Sequence, residues 1–160
     1  MRHELTGKVR GLKLIAITAA RLKRMVSIRK KLTRSSTTFV QMQDLGGCRA
    51  IVDSIAGVEA LIALYRSGGT QHRLREDTSY IERPRRGGYR SHHFVLDFSG
   101  AGPDAAYDGR RVEIQIRTQL QHAWATAVEA VGMVRGEDLK AGDGNVDWLR
   151  LFALMASVTV

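Results

Sequence analysis

Two stretches of alternating polarity constrain this chain's fold more than any other feature. In residues 111–118 (RVEIQIRT), Val112, Ile114 and Ile116 alternate with Glu113, Gln115 and Arg117. In residues 91–98 (SHHFVLDF), His92, Phe94, Leu96 and Phe98 fall on one parity. Ser91, His93, Val95 and Asp97 fall on the other, with Tyr89 if the strand extends back that far. A period of two is that of a β-strand whose two faces meet different surroundings. The polar loop SGAGPDAAYDGR joins the two runs, and Tyr107-Asp108-Gly109 within it is a hairpin signal. One face of this pair is apolar. The other offers a carboxylate, an imidazole, an amide and a guanidinium.

Other elements follow from local signals. GCRAIVDS reads as a short buried strand, and SIAGVEALIALYRSGG as a helix capped by Ser54 and closed by Gly68-Gly69. Leu22, Met25, Val26, Ile28 and Leu32 form a stripe at near-helical spacing, so a helix is expected over 12–34. A strand is expected around 80–82 and helices over 119–131 and 148–160. The last has no terminating residue, which leaves open that the chain is truncated there. Helix, strand, helix, consecutive strands and helices again make an α/β or α+β protein, with a mixed, largely antiparallel sheet of about five strands flanked by helices. A length of 160 residues suits one domain. Its expected parts are a basic helical segment 1–34, a sheet core 40–131 and a C-terminal helix 146–160.

The formal net charge of +9 is unevenly placed. Residues 1–34 hold eleven Lys/Arg and one acid, Glu4, for +10, whereas the remainder sums to −1. Such a concentration suits a polyanion: nucleotide phosphates, RNA or an anionic membrane surface. No apolar run approaches the ~18 residues of a membrane span. The N-terminus carries no apolar run with a cleavage site, and Cys48 is the only cysteine. A cytoplasmic protein with no membrane association is expected. The stretch RPRRGGYRSHHF (83–94) sets four arginines around two glycines and follows them with Tyr89. Glycines let a backbone approach phosphates closely, arginines offset their charge and a tyrosine ring stacks on a base. Glu113 is a candidate metal ligand or proton acceptor. Asp44, heading the QDLGGCRAIV block, is a second carboxylate that would pair with it on Mg²⁺.

Four blocks, RLKRMVSIRKKL, QDLGGCRAIV, IERPRRGGYRSHH and VEIQIRTQLQHAWA, stand in an order and spacing that resemble the synthetase domain of the RelA/SpoT family. The resemblance runs over residues 20–130 and is to a stand-alone small alarmone synthetase. It implies a nucleotidyltransferase-like fold. It also implies transfer of the β,γ-pyrophosphate of ATP to the 3′-hydroxyl of GDP or GTP, giving (p)ppGpp, with Mg²⁺ as cofactor. By the same resemblance Arg21, Lys23, Lys31 and Arg49 would contact ATP. Arg85, Tyr89, His93, Gln115 and Arg117 would bind the acceptor, with the base on Tyr89. Asp44 and Glu113 would hold the metal and act on the attacking hydroxyl. Arg24-Met25 and Gly87 depart from the family pattern, and they leave the acceptor's identity open. Some small members are toxins that modify the 3′ end of tRNA or adenosine nucleotides, so tRNA and an antitoxin are further possible partners. Related synthetases form homo-oligomers. A binding module without catalysis is the remaining alternative, disfavoured by the presence of both Asp44 and Glu113.

Overall fold

The computed structural model describes residues 1–23, 25–85 and 87–158 apart from 35–44, without the side chains of residues 21, 26, 27, 30, 31 and 34. The elements are α1 (Arg2–Gly11), β1 (Ala16–Leu22), α2 (Met25–Arg34), β2 (Gly46–Val52), α3 (Ile55–Arg66), β3 (Arg73–Ser79), β4 (His92–Asp97), β5 (Arg111–Thr118), α4 (Gln119–Arg135) and α5 (Val146–Ala156). Short 3₁₀ turns occupy Gly102–Tyr107 and Leu139–Ala141. The five strands form one sheet in the order β1-β2-β5-β4-β3. The β2–β5 pair is parallel and the other three pairs are antiparallel. This is the mixed, largely antiparallel sheet that the sequence implies.

Alternation decides which side of the sheet is dry. Phe94, Leu96, Ile114 and Ile116 are fully buried against Leu5 and Val9 of α1 and Val58, Leu61 and Tyr65 of α3. Each such aliphatic or aromatic side chain contributes roughly 1.5–3 kcal/mol by leaving water. The opposite parity of β2, β4 and β5 carries Arg49, His93, Glu113, Gln115 and Arg117. Next to it stands a second apolar cluster, in which Tyr89 packs with Trp124 and Val128 of α4, Leu139, and Phe152 and Ala156 of α5.

Local chemistry sets the helix ends. The Ser54 hydroxyl accepts from the Gly57 amide (3.2 Å) and opens α3, as its sequence implies. Thr118 and Gln121 form a reciprocal capping box that turns β5 directly into α4. Gly136, at φ +68°, closes α4. The hairpin signal is realised where Phe98 and Gly109–Arg110 exchange backbone hydrogen bonds of 2.7 and 2.8 Å.

Two expectations are corrected. Residues 12–34 are not one helix: α1 precedes them, and β1 and α2 divide them. Ile15, Ile17 and Thr18 are β-branched, and β1 finds a full antiparallel register against β2, from Ala16↔Val52 to Leu22↔Gly46. The apolar stripe is helical only from Met25 onward, where Ile28 is buried; Leu22 is 83% exposed. The strand expected around 80–82 lies instead at Arg73–Ser79. That edge strand is almost wholly polar. It is held by β4 on one side and by side-chain pairs, Arg66 with Asp77 (2.7 Å) and Arg75 with Asp97 (3.0 Å). Charged edges of this kind guard a sheet against further pairing. Among the described residues no helix is long and apolar enough to cross a membrane.

Candidate active site

The parallel register of β2 and β5 places Gly47 beside Glu113, Arg49 beside Gln115 and Ile51 beside Arg117. On the other side of β5, β4 places Val95 beside Glu113 and His93 beside Gln115. Because all these positions share one parity, their side chains meet on one face. A continuous chain of hydrogen bonds results. Arg49 donates from Nε and Nη2 to Gln115 Oε1 (3.2 and 3.0 Å). Gln115 Nε2 donates to Glu113 Oε2 (2.7 Å). His93 Nδ1 lies 2.9 Å from Glu113 Oε1, and His93 Nε2 lies 2.8 Å from the Tyr89 hydroxyl. An ionised carboxylate only accepts, so Nδ1 carries the proton. In the neutral ring Nε2 therefore accepts from the Tyr89 O–H.

Small residues keep room beside Glu113. Ala19 of β1 and Gly47 of β2 border a cleft of about 40 Å³ that Arg49, Glu113 and Gln115 also line. A Cβ at Gly47 would lie 3.2 Å from the Glu113 carbonyl oxygen, so a side chain there would press on the β5 backbone. Among the described residues no group of three or more His, Cys, Asp or Glu is placed to hold a metal ion. Asp44 lies outside the described residues. In the chain it precedes by three residues Gly47, the register partner of Glu113. One carboxylate at a small cleft, with Arg49 and Gln115 beside it, fits a Mg²⁺ site of the usual kind, in which one or two protein carboxylates share the ion with phosphates and water.

The arginine–glycine turn forms the other border. Arg85 N–H donates to the Tyr89 carbonyl (3.2 Å), and Gly88 N–H to the Arg85 carbonyl (2.7 Å). Gly88 has φ +90°, and a Cβ there would fall 2.5 Å from the Ala156 Cβ of α5, so both conformation and space require glycine. Arg85 lies over the Tyr80 ring (4.4 Å to its centroid) and donates to the Tyr80 hydroxyl (2.9 Å). It also lies 5.8 Å from the Tyr89 ring. Arg90 turns away from the site and donates to the carbonyls of Ile81 and Ala156. The Tyr89 ring is only 3% exposed, with Trp124 6.4 Å from its centroid and the Lys140 ammonium 5.0 Å away. Burial pushes the Tyr89 phenol up, with Arg117 opposing.

Arg117 is 2% exposed and donates from Nη2 to His122 Nδ1 (2.8 Å). A guanidinium has no acceptor atom, so His122 carries its proton on Nε2. Burial, then Arg117 and Arg49, hold His122 below the usual histidine range.

The structure thus brings together Arg49, Arg85, Tyr89, His93, Glu113, Gln115 and Arg117 of the residues the sequence singles out. Lys23 adjoins them through the chain, its backbone N–H donating to the Leu45 carbonyl (2.9 Å) just ahead of β2. Arg21 is paired in register with Gly47, and Lys31 belongs to α2; their side chains lie outside the description. Tyr80, His122 and Lys140 join the site although no sequence pattern marks Tyr80 or Lys140. His122 lies inside the VEIQIRTQLQHAWA block, on a helix the sequence implies.

Residues 20–132 match the family model described as the region found in RelA / SpoT proteins. A GTP pyrophosphokinase of Photobacterium angustum is 26% identical over 153 residues, covering 92% of this chain and 19% of that protein. A probable chloroplastic GTP diphosphokinase, RSH2, of Arabidopsis thaliana is 30% identical over 114 residues, covering 68% of this chain and 14% of that protein. This chain therefore spans less than a fifth of the length of either curated relative. Among solved structures, small alarmone synthetase 1 of Bacillus subtilis bound to its product pppGpp superposes with a TM-score of 0.81 at 19% identity, over 99% of this chain and 82% of that one. Small alarmone synthetase 2 of the same organism gives 0.79 at 21% identity, over 98% and 82%. The family match over most of the chain, together with the shared fold, means that this chain belongs to the RelA/SpoT family.

Proposed function

We propose that the chain is an ATP-dependent pyrophosphokinase that transfers the β,γ-pyrophosphate of ATP to the 3′-hydroxyl of GDP or GTP, producing ppGpp or pppGpp. The observation that carries this reading is Glu113. Its carboxylate stands between a basic side, where Arg49 lies, and an aromatic–arginine side, where Tyr89 and Arg85 lie. Family membership and the names of the curated relatives support the same reaction class.

Phosphoryl transfer asks a protein mainly for positioning and charge stabilisation. The acceptor's 3′-oxygen would attack the β-phosphorus of ATP. The bond from that phosphorus to the α,β-bridging oxygen would break, and AMP would leave with the oxygen. The Glu113 carboxylate would receive the 3′-hydroxyl proton. His93 and Gln115, each donating to one Glu113 oxygen, would hold the carboxylate in orientation. Arg21, Lys23, Lys31 and Arg49 would bind ATP. Arg85, Tyr89, His93, Gln115 and Arg117 would bind the acceptor. Glu113 and Asp44 would hold Mg²⁺, which when bound neutralises phosphate charge. Tyr89 would offer its ring to the base only once its present neighbours withdraw. These substrates would place the protein in the cytoplasm.

The test is transfer of label from [γ-³²P]ATP in the presence of GDP, GTP, ADP or deacylated tRNA. Label on GDP or GTP is expected. Label on ADP or tRNA alone would make this a pyrophosphokinase of another acceptor. Nucleotide binding without transfer to any acceptor would make it a binding module.

A further inference from the structure

The family match ends at residue 132, yet the chain beyond it returns to the acceptor side of the site. Leu139, 2% exposed, is seated in the cluster of Tyr89, Trp124 and Phe152 and anchors the short turn Leu139–Ala141. The next residue, Lys140, extends its ammonium to 5.0 Å from the centre of the Tyr89 ring. Glu129 of α4, half exposed, pairs with that ammonium. Burial draws the Lys140 ammonium below the usual lysine range, Glu129 works against this, and Arg117 and Arg49 add to it. Lys140 therefore shares one electrostatic field with the arginines of the sheet face.

The two cations nearest the ring are notable for what they cover. Lys140 and Arg85 approach a buried aromatic ring at 5.0 and 5.8 Å, where a ligand that stacks on Tyr89 would have to lie close by. Cation–ring attraction is worth only about 0.5–2 kcal/mol. A flat base can therefore replace these cations at modest cost. Phosphates arriving with the base would offer each of them a stronger, charge-assisted partner. The ammonium rides on a flexible four-carbon stem whose side chain is 29% exposed, so it can leave the ring without unseating Leu139.

We propose that Lys140 is an acceptor-binding residue: it rests against Tyr89 while the site is free of acceptor and moves to the 5′-phosphates of a nucleoside di- or triphosphate when the base takes its place. Glu129 is the counter-ion that holds it ready. The inference rests on the pyrophosphokinase reading and deepens it, by assigning to the C-terminal stretch a share in acceptor choice.

The test combines kinetics with intrinsic fluorescence, since Trp124 lies 6.4 Å from the Tyr89 ring and reports on binding there without turnover. Titrating the full chain with guanosine, GDP and GTP, wild type and K140Q should give unequal losses. K140Q should bind guanosine as the wild type does but GDP and GTP roughly tenfold more weakly, the loss expected for one charge-assisted hydrogen bond. The acceptor KM should rise by the same factor, with the KM for ATP within twofold. K140R, which keeps the charge, should recover most of the loss. Equal affinities for all three ligands in wild type and K140Q, in an enzyme that does transfer to GDP or GTP, would overturn the role of Lys140. So would a loss as large for guanosine as for GDP, which would mark a purely structural contact. Failure of the wild type to use any guanosine acceptor would instead remove the pyrophosphokinase reading, and this proposal with it.

Discussion

His92 and His93 are neighbours in sequence and opposites in circumstance. Strand alternation sends His92 to the dry face, where it is fully buried and its Nε2 lies 3.1 Å from Asp77 Oδ1. It sends His93 to the open face, 2.9 Å from Glu113. Each pair is an imidazole on a carboxylate, and each carboxylate has a second partner. Asp77 is gripped by the Arg66 guanidinium through two parallel hydrogen bonds (2.7 and 2.9 Å), a strong, charge-balanced fork. The Arg66 guanidinium, opposed by burial and helped by His92, leaves Asp77 below the usual carboxylate range. Glu113 is held by the neutral amide of Gln115, which orients a carboxylate without cancelling its charge. The first pair is closed and serves the fold. The second keeps a negative charge at the edge of a cleft bordered by Ala19 and Gly47, where a metal ion or a hydroxyl proton can use it. What separates a structural pair from a candidate catalytic one here is the third partner and the surroundings, not the pair.

The largest difference should appear when each carboxylate is removed in turn. Glu113→Gln is expected to lower transfer by roughly 10³-fold, at the level that general-base catalysis and charge stabilisation together supply. Binding of ATP, followed by fluorescence or equilibrium dialysis, should be largely spared. Undiminished turnover would defeat the role assigned to Glu113. Asp77→Ala should do the reverse. It removes the fork on Arg66 and the carboxylate beside buried His92; because the guanidinium is half exposed, the expected cost is about 1 kcal/mol. Urea unfolding should show that loss, while kcat of the folded enzyme stays within twofold. A large fall in kcat with unchanged stability would erase the distinction between the two faces.

Acid should act on the dry face next. Burial pushes the His92 imidazole down to about 4, with Asp77 opposing. Its unfolded value is near 6.5, so the unfolded chain takes up the proton first as pH falls. The neutral His92 therefore contributes its full stability above about pH 6.5 and loses it progressively toward pH 4. Between pH 7 and pH 5 the loss from this one residue is about 2 kcal/mol. His72 adds to it in the same direction. It is buried and depressed by that burial, although Glu4 opposes, and its Nδ1 already accepts from the Ser99 N–H (3.0 Å). Urea midpoints at pH 7, 6 and 5 should fall steadily, and His92→Gln should flatten the slope. A slope unchanged by that substitution would mean that His92 is not held neutral by its burial.

The same contrast explains what could be read from the sequence. Parity along two strands was enough to separate His92 from His93 and to gather Glu113, Gln115 and Arg117 on one face, because a period of two admits one solution once one face is apolar. The Ser54 cap of α3 was likewise local and legible. β3 was not, because RLREDTS has no apolar parity and is fixed by its partners β4 and Arg66. β1 was hidden in a basic segment whose apolar residues fit a helix as well as a strand, until pairing with β2 decided it. In the site, residues on adjacent strands could be assembled from register alone. Tyr80 and Lys140 could not, since they arrive from a loop and a one-turn helix whose placement depends on the packing of α4 and α5. Asp44 was legible as a carboxylate in a motif, and it remains a proposal on that ground.

The smallest effect is the most discriminating. On the dry face the partner that completes the set is Arg66; on the open face it is the Tyr89 hydroxyl, 2.8 Å from His93 Nε2. Tyr89→Phe deletes that hydroxyl and keeps the ring. If the hydroxyl only steadies His93, kcat should fall by a few-fold, consistent with one neutral hydrogen bond worth about 1 kcal/mol, and the acceptor KM should hardly move. Tyr89→Ala, which removes the ring as well, should raise the acceptor KM by roughly 10-fold or more, because stacking is worth on the order of 1–3 kcal/mol per base. The two variants therefore separate the oxygen from the ring. Should Tyr89→Phe raise the acceptor KM as much as Tyr89→Ala does, the hydroxyl itself would be binding acceptor. The His93–Glu113 pair would then be completed by substrate rather than by the protein, and its third partner would be exchangeable where Arg66 is fixed.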